Sequence, residues 1–209
     1  MQAPKRRVDP ARPRRRRIYL IGGVALAVLI IAAVSSFLAS RGGSDTGAAL
    51  AAAGCTRSDF PSQGRNHVES LPNGFQYNST PPTSGPHQPQ PFAPAVWGPY
   101  DQPIPEIKLV HNLEHGGVVI QYGSGISSST VDAMLSWYRE DPDGIVLAPL
   151  PPSLEQEKPA LRDQIALTAW THLQTCERFS PEAFDSFADD FRAKGPERFP
   201  LEALQPGSQ

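Results

Sequence analysis

The stretch VHNLEHGGVVIQY, residues 110–122, joins a histidine-rich segment to a run of apolar and β-branched residues. The run VVIQY, residues 118–122, predicts a buried strand because β-branched and aromatic side chains favour strands. Gly116 and Gly117 separate the two parts, and glycine lets the backbone end a turn or pass close to another group. The stretch therefore predicts a central strand that directly follows two histidines and a glutamate.

The chain after this strand alternates helix and strand patterns. Ser129 is expected to cap a helix, with Asp132 completing a capping box. Further strands are predicted at residues 145–150 and 165–176, and Ser180 is expected to cap a second helix. This order of elements predicts an α+β fold, in which helices cover one side of a small mixed sheet.

The segment before this region is rich in proline. Residues 72–105 contain ten prolines, and that density excludes an ordinary helix or a central strand because proline lacks a donor and fixes φ. A disordered linker is one interpretation. The segment also contains large aromatic side chains, which usually bury against a surface. We therefore expect an ordered, irregular wrap over the core.

Residues 1–40 predict a membrane anchor. Residues 1–17 form a basic tail with eight Lys or Arg and a single acid, and we expect it to lie against anionic lipid of the bilayer. Residues 18–40 are uncharged and long enough for one transmembrane helix, which needs about 20 apolar residues. The basic flank predicts a cytoplasmic N-terminus and an extracytoplasmic C-terminal part. A cleaved signal peptide is the alternative, although its apolar region is typically about 7–15 residues long.

Three segments are predicted beyond the span. Residues 41–54 are expected to form a flexible stalk, although their alanine-rich end can also form a helical turn. Residues 55–195 are expected to form the globular domain and residues 196–209 a C-terminal tail. The chain after the span holds eleven Lys or Arg and twenty Asp or Glu, a formal charge of −9. Nucleic acid is therefore not an expected partner, because phosphate binding needs clustered basic residues.

The two cysteines, Cys55 and Cys176, both follow the predicted span. In an oxidising compartment an even pair of cysteines is most simply one disulfide. Two thiolate ligands or a redox pair are the alternatives, but such chemistry usually shows C-x-x-C spacing, which is missing here. We therefore expect a disulfide.

The histidines are the main chemical feature, and all of them follow the predicted span. His111 and His115 share a face if residues 110–115 form a helical turn, so that both rings can reach one ion at about 2.0–2.1 Å. His87, in PPTSGPH, is a third candidate ligand on a proline-stiffened loop, and His67 or Glu114 is the fourth. We expect such a site to bind Zn²⁺ or Cu²⁺ rather than Cu⁺.

Two other interpretations of these residues stay open. The histidines can be structural, bonded to backbone carbonyls of the wrap in a non-catalytic interaction module; His172, in the predicted third strand, is expected to be structural. Residues 111–115 also have the H-x-x-E-H order of zinc hydrolases, whose glutamate acts as a base. That motif needs a helix of several turns, and the glycine pair interrupts it here, so catalysis is not the function we expect.

Several blocks together resemble a known family. YNSTPPTSGPH (77–87), WGPYDQPIP (97–105) and LVHNLEHGGVVIQY (109–122), followed by IVLAPLP and IALTAWTHLQTC, resemble the bacterial family of domains of unknown function DUF3105 over residues 55–195. The resemblance implies an exported or membrane-anchored domain with no assigned biochemical activity. By position, the characteristic residues of the family fall on His87, His111, Glu114 and His115.

Overall fold

The computed structural model describes residues 46–209 of the chain. The predicted basic tail at residues 1–17, the predicted span at residues 18–40 and the first part of the predicted stalk lie outside the described residues, so they stay predictions. Within residues 46–209, the structure contains no helix with the length and apolar character that a membrane crossing needs.

A six-stranded mixed sheet forms the centre of the domain, as the predicted α+β class requires. Its strands lie side by side in the order β1-β6-β5-β3-β4-β2. The central strand β3 pairs in parallel with β4 and antiparallel with β5. The strands are β1 (Thr56–Asp59), β2 (Gly98–Pro99), β3 (Val118–Tyr122), β4 (Ile145–Pro149), β5 (Ile165–Ala169) and β6 (His172–Cys176).

Five helices accompany the sheet in the described residues: α1 (46–52), α2 (Glu106–Glu114), α3 (Ser128–Glu140), α4 (Pro152–Glu157) and α5 (Pro181–Phe191). Helix α5 begins as predicted, because the Ser180 hydroxyl accepts a hydrogen bond from the Ala183 amide. The start predicted for α3 at Ser129 is wrong by two residues. Ser127 is the cap, and Ile126 before it packs on the same core as Val131 inside the helix, a hydrophobic staple that selects this serine.

Helices lie on both faces of the sheet, so the expectation that they cover one side is wrong. Side chains alternate between the faces of a strand. Val118 of β3 belongs to a core cluster with Met134 of α3 and Phe184 of α5, whereas Val119 belongs to a second cluster with Leu109 of α2. The two helices that the sequence predicted share one face, and α2, of which the sequence suggested only a turn, covers part of the other.

Two strands replace the single strand predicted at residues 165–176. Strands β5 and β6 pair antiparallel around a tight turn at Trp170 and Thr171. Thr171 has a φ of 67°, which non-glycine residues seldom adopt. Hydrogen bonds from distant segments hold it, since its amide donates to the Thr83 carbonyl and its carbonyl accepts from the Phe60 amide, both at 2.9 Å. A turn without Gly or Asn gives no signal in the sequence.

The segment between β1 and α2, residues 60–105, is irregular apart from the two residues of β2 at the edge of the sheet; we call it the wrap. Residues 81–87, PPTSGPH, are all buried. Trp97 is 1% exposed and packs in the second core cluster. The expected exclusion of helix and central strand therefore holds in this segment.

Both ends of the described chain pack on the domain. Cys55 and Cys176 form the predicted disulfide, beside the pairing of β1 with β6. The alanine-rich end of the predicted stalk is helical, and Leu50 packs on the first core cluster. In the segment that the sequence assigned to a tail, Leu204 is 1% exposed. Its carbonyl accepts a hydrogen bond from the Gly144 amide at 2.7 Å.

Replacing Gly117 by alanine is expected to lower the free energy of unfolding by about 2–3 kcal/mol, the upper part of the range of about 1–3 kcal/mol found for overpacking a core. A Cβ atom at this position would lie 2.3 Å from two ring carbons of the buried Trp97. Urea denaturation measures the loss. Gly47→Ala is the matched control, because a Cβ there meets nothing within 4 Å. Equal stability of the two variants would contradict the close packing of Trp97 on Gly117.

Candidate metal centre

Helix α2 carries two of the candidate residues. Leu109 and Leu113 pack against the sheet in the second core cluster. Such tertiary burial stabilises a short helix that would not form alone, here one of nine residues without a side-chain cap at its start. His111 and Glu114 are three positions apart, so they share another face of the helix. Both are buried, with 4% and 2% exposure.

The wrap brings two further histidines to this helix. The Asn112 side chain accepts a hydrogen bond from the Ala95 amide and donates one to the Ala95 carbonyl, both at 2.9 Å. His67 and His87 are partners in a parallel β-bridge, where the Val68 amide donates to the His87 carbonyl at 2.8 Å. Backbone pairing in the wrap therefore places both imidazoles beside α2.

Four side chains converge at this point. One ligand atom each from His67, His87, His111 and Glu114 lies within 4.8 Å of the others, and we call these residues the metal group. His87 Nε2 is 2.9 Å and His67 Nε2 is 3.5 Å from Glu114 Oε2. Two ligands of a tetrahedral ion with bonds of about 2.0–2.1 Å are about 3.3 Å apart. The metal group can hold a metal ion after small side-chain rotations.

Backbone carbonyls fix the tautomers of the two buried histidines. His87 Nδ1 is 2.8 Å from the Gly85 carbonyl oxygen, and His111 Nδ1 is 2.6 Å from the Gln88 carbonyl oxygen. A carbonyl only accepts, so each Nδ1 carries the hydrogen and donates it. The neutral rings then present the lone pair of Nε2 to the centre of the group. Metal-binding histidines are usually oriented by such a bond from the other ring nitrogen.

The contact between His87 Nε2 and Glu114 Oε2 requires a proton or a cation between the two atoms. Burial raises the pKa of Glu114, but the hydrogen bond with His87 and the nearby histidines together outweigh this effect and hold the pKa below its usual value. An ionised carboxylate and the Nε2 of a neutral His87 are both acceptors, yet they lie 2.9 Å apart. Either a proton on His87 Nε2 or a bound cation resolves this contact.

His115 lies next to the metal group without belonging to it. Its Nε2 is 3.1 Å from His111 Nε2 and 3.0 Å from Glu197 Oε2. Burial, with His111 adding a smaller effect, lowers the pKa of His115 to about 4, so the ring is neutral at pH 7. It can donate its Nε2 hydrogen to His111 or to Glu197. The role of His115 as a ligand stays a prediction. His67, which the sequence gave as an alternative fourth ligand, belongs to the metal group.

Burial also lowers the pKa of His111, although its hydrogen bond to the Gln88 carbonyl opposes the shift. A neutral imidazole is the form that binds a metal ion, because the ligand nitrogen must be free of its proton. Burial at the metal group therefore favours the neutral form of His111, which is the form that can bind a metal ion.

One side of the metal group is open to solvent. The side chain of His67 is 45% exposed, whereas that of His87 is fully buried. Arg65 Nε lies 3.9 Å from Glu114 Oε1 on the same open side. An ion can therefore reach the buried ligands from the side of His67.

His172 lies away from the metal group. Its Nδ1 is 2.7 Å from Asp59 Oδ1, and its ring stacks on Phe191 with a centroid distance of 4.0 Å. These partners agree with the structural role that the sequence suggested for His172.

Sequence reasoning missed three residues that shape the site: Arg65, Asn112 and Glu197. Arg65 and Glu197 are charged residues in irregular segments, a pattern typical of solvated surface. Asn112 lies in the stretch at residues 110–122. Its two hydrogen bonds with the Ala95 backbone depend on how the wrap folds over α2. No signal in the sequence links these positions to the histidines.

The H-x-x-E-H interpretation requires His111 and His115 to be ligands and Glu114 to act as a base. Glu114 instead directs Oε2 at His87 and His67, and α2 ends at this residue. The geometry therefore favours Glu114 as a ligand over Glu114 as a base.

Fold and site together define an α+β domain with a buried cluster of imidazole and carboxylate groups against a mixed sheet. The chain belongs to the DUF3105 family, described as "Protein of unknown function", whose sequence profile matches residues 67–202. This match contains every member of the metal group and confirms the resemblance to the family. No curated protein and no solved structure matches the chain.

Proposed function

We propose that the protein is a single-pass, membrane-anchored domain that binds one transition metal ion on the extracytoplasmic side of the cell membrane. His67, His87, His111 and Glu114 are the ligands. The observation that carries the proposal is the convergence of one ligand atom from each of these four residues, all within 4.8 Å of one another. The anchor and its orientation rest on the basic tail and apolar run of residues 1–40.

The ligand types favour Zn²⁺ or Cu²⁺. Imidazole and carboxylate suit these ions, whereas Cu⁺ prefers thiolate and thioether. Cys55 and Cys176 are joined in a disulfide, and no free cysteine is present among residues 46–209. Met134 is fully buried in the first core cluster, on the other face of the sheet from α2. Within the described part of the chain, no thiolate or thioether is therefore available as a ligand at the metal group.

The ligands divide into a rigid and an adaptable part. His87 and His111 are held by carbonyls of the wrap, so little side-chain entropy is lost when an ion binds. Glu114 supplies a negative charge that offsets part of the charge of a divalent ion. The exposed His67 can rotate to close the coordination.

The test is direct metal binding to the purified full-length protein, kept in mild detergent because the sequence predicts a span. After removal of metal with a chelator, we expect equilibrium dialysis against micromolar Zn²⁺ or Cu²⁺ to load one ion per chain. The matched control is His172→Ala, which removes an imidazole outside the metal group and should retain the same stoichiometry. Absence of binding in the wild type, or loss in the control, would contradict the assignment.

A non-catalytic interaction module with structural histidines is the second candidate. It is favoured by the bond between the His111 ring of α2 and the Gln88 carbonyl, which ties the wrap to α2 without any ion. In that case a proton on His87 makes an ion pair with Glu114. The two candidates differ in whether Glu114→Gln changes the response of the protein to metal.

A further inference from the structure

A cleft lies at the opposite end of α2 from Glu114, between the wrap and α4. Its volume is about 470 Å³, within the usual size of small-molecule sites. Phe75 and Tyr77 of the wrap form an aromatic wall, with their rings edge to face and 5.2 Å between centroids. Pro82 and Leu154 add apolar surface. We call this the acidic cleft because of the two carboxylates described next.

Among the described residues, Glu106 and Glu157 are the only ionisable carboxylates that line the acidic cleft, and no Lys or Arg lines it. Glu106 Oε1 accepts a hydrogen bond from Gln121 Nε2 at 2.7 Å, and Gln121 is 1% exposed. This bond holds the carboxylate in position. Glu157 Oε1 accepts from the Thr80 hydroxyl at 2.6 Å. Among residues 46–209, no ion pair neutralises either carboxylate.

An unpaired carboxylate in a partly buried cleft favours a cationic ligand, because burying a charge is costly unless an opposite charge pairs with it. Aromatic rings attract cations through their negative faces. The apolar surface of Pro82 and Leu154 suits a short alkyl stem. Burial raises the pKa of Glu106 to about 7, although the bond from Gln121 opposes the shift, which agrees with a carboxylate that lacks a cationic partner.

We propose that the acidic cleft binds a primary ammonium group on a short alkyl stem, with Glu106 as the main partner of the cation and Glu157 as the second. A lysine side chain of a peptide and an ethanolamine headgroup of a lipid both carry this chemistry. The lysine side chain is the better match, because a lipid phosphate beside the ammonium would meet the same two carboxylates. This site is independent of the metal group.

The experiment is a titration of the full-length protein with n-propylammonium chloride above pH 7, where Glu106 is ionised. Ionic strength is held constant, and proton NMR shifts of the aromatic rings report binding. We expect saturable binding that Glu106→Gln weakens by about ten-fold or more, since a charge-assisted bond is lost. Glu202→Gln, which removes an exposed carboxylate outside the cleft, is the matched control and should bind as the wild type does.

Two additions keep the result interpretable. Glu157→Gln is a second variant, expected to weaken binding less, and circular dichroism with metal loading shows that each variant is folded. Lysine blocked as its Nα-acetyl N-methylamide, with a free side-chain ammonium, is expected to bind more tightly than phosphoethanolamine. The reverse order would contradict a lysine side chain as the ligand. Binding of n-propanol as tight as that of n-propylammonium, equal binding to Glu106→Gln, or no saturation would overturn the cation site itself.

Discussion

Replacing Glu114 by glutamine is expected to weaken metal binding by on the order of 100-fold or more, while the metal-free protein stays folded. The substitution removes a ligand and its negative charge but keeps the volume of the side chain. In the metal-free state, the new amide can donate a hydrogen bond to His87 Nε2, 2.9 Å away in the wild type. This hydrogen bond pairs the buried ring without an ion and without a charge on the side chain at position 114.

Thermal unfolding with chelator and with Zn²⁺ measures both parts of this prediction. A bound ion stabilises the wild type in proportion to the logarithm of the metal concentration over Kd, and the variant should show no such shift at the same concentration. Glu202→Gln is the control, because it removes one negative charge from an exposed position.

The same variant separates the two candidate functions. If His87 and Glu114 form a structural ion pair, Glu114→Gln leaves a charged imidazole without its partner in a buried site. The metal-free protein would then lose about 1–3 kcal/mol of stability, the cost of an unpaired buried polar group. The response to Zn²⁺ separates the candidates: no stabilisation of the wild type by Zn²⁺, or equal stabilisation of the wild type and the variant, would favour the interaction module and contradict metal binding at Glu114.

Removal of the disulfide by the double substitution Cys55→Ala and Cys176→Ala is expected to lower the free energy of unfolding by about 3–5 kcal/mol. The bond joins residues 121 positions apart, so it excludes many conformations of the unfolded chain. Cys176 is fully buried in the first core cluster, and alanine is the smallest change that removes both sulfur atoms. Urea denaturation of the oxidised wild type and the double variant measures the difference.

A reductant provides the control for this experiment. The reduced wild type should unfold at nearly the same urea concentration as the double variant, and the variant itself should not respond to reductant. Two free thiols in the oxidised wild type, or a urea midpoint that reductant leaves unchanged, would contradict a stabilising role of the disulfide. A disulfide that forms in the exported protein would also agree with the predicted oxidising compartment.

Elements with a strong local pattern were predictable from the sequence. Strand β3 begins and ends at the predicted residues, because a β-branched apolar run has few alternatives. Helix α5 was predictable from its serine cap and the proline that follows. The irregular course of residues 72–105 follows from proline chemistry alone. In each case the deciding interactions lie within a few residues.

Elements that depend on distant partners were not predictable. Helix α2 has no side-chain cap and only nine residues, and it is stabilised by Leu109 and Leu113 against the sheet. The turn between β5 and β6 is held by Thr83 and Phe60. Both features rest on contacts that form only when separate parts of the chain meet.

The same division applies to the metal group. The sequence by itself determined the types of the ligands, since imidazoles and a carboxylate cluster around VHNLEHGG and PPTSGPH, and it named every member of the group. Only the tertiary structure decided which of them converge. The β-bridge of the wrap carries His67 to His87, whereas His115, at the end of α2, contacts Glu197. Local chemistry specifies what a side chain can bind, but long-range backbone pairing specifies which side chains lie close enough to share one ion.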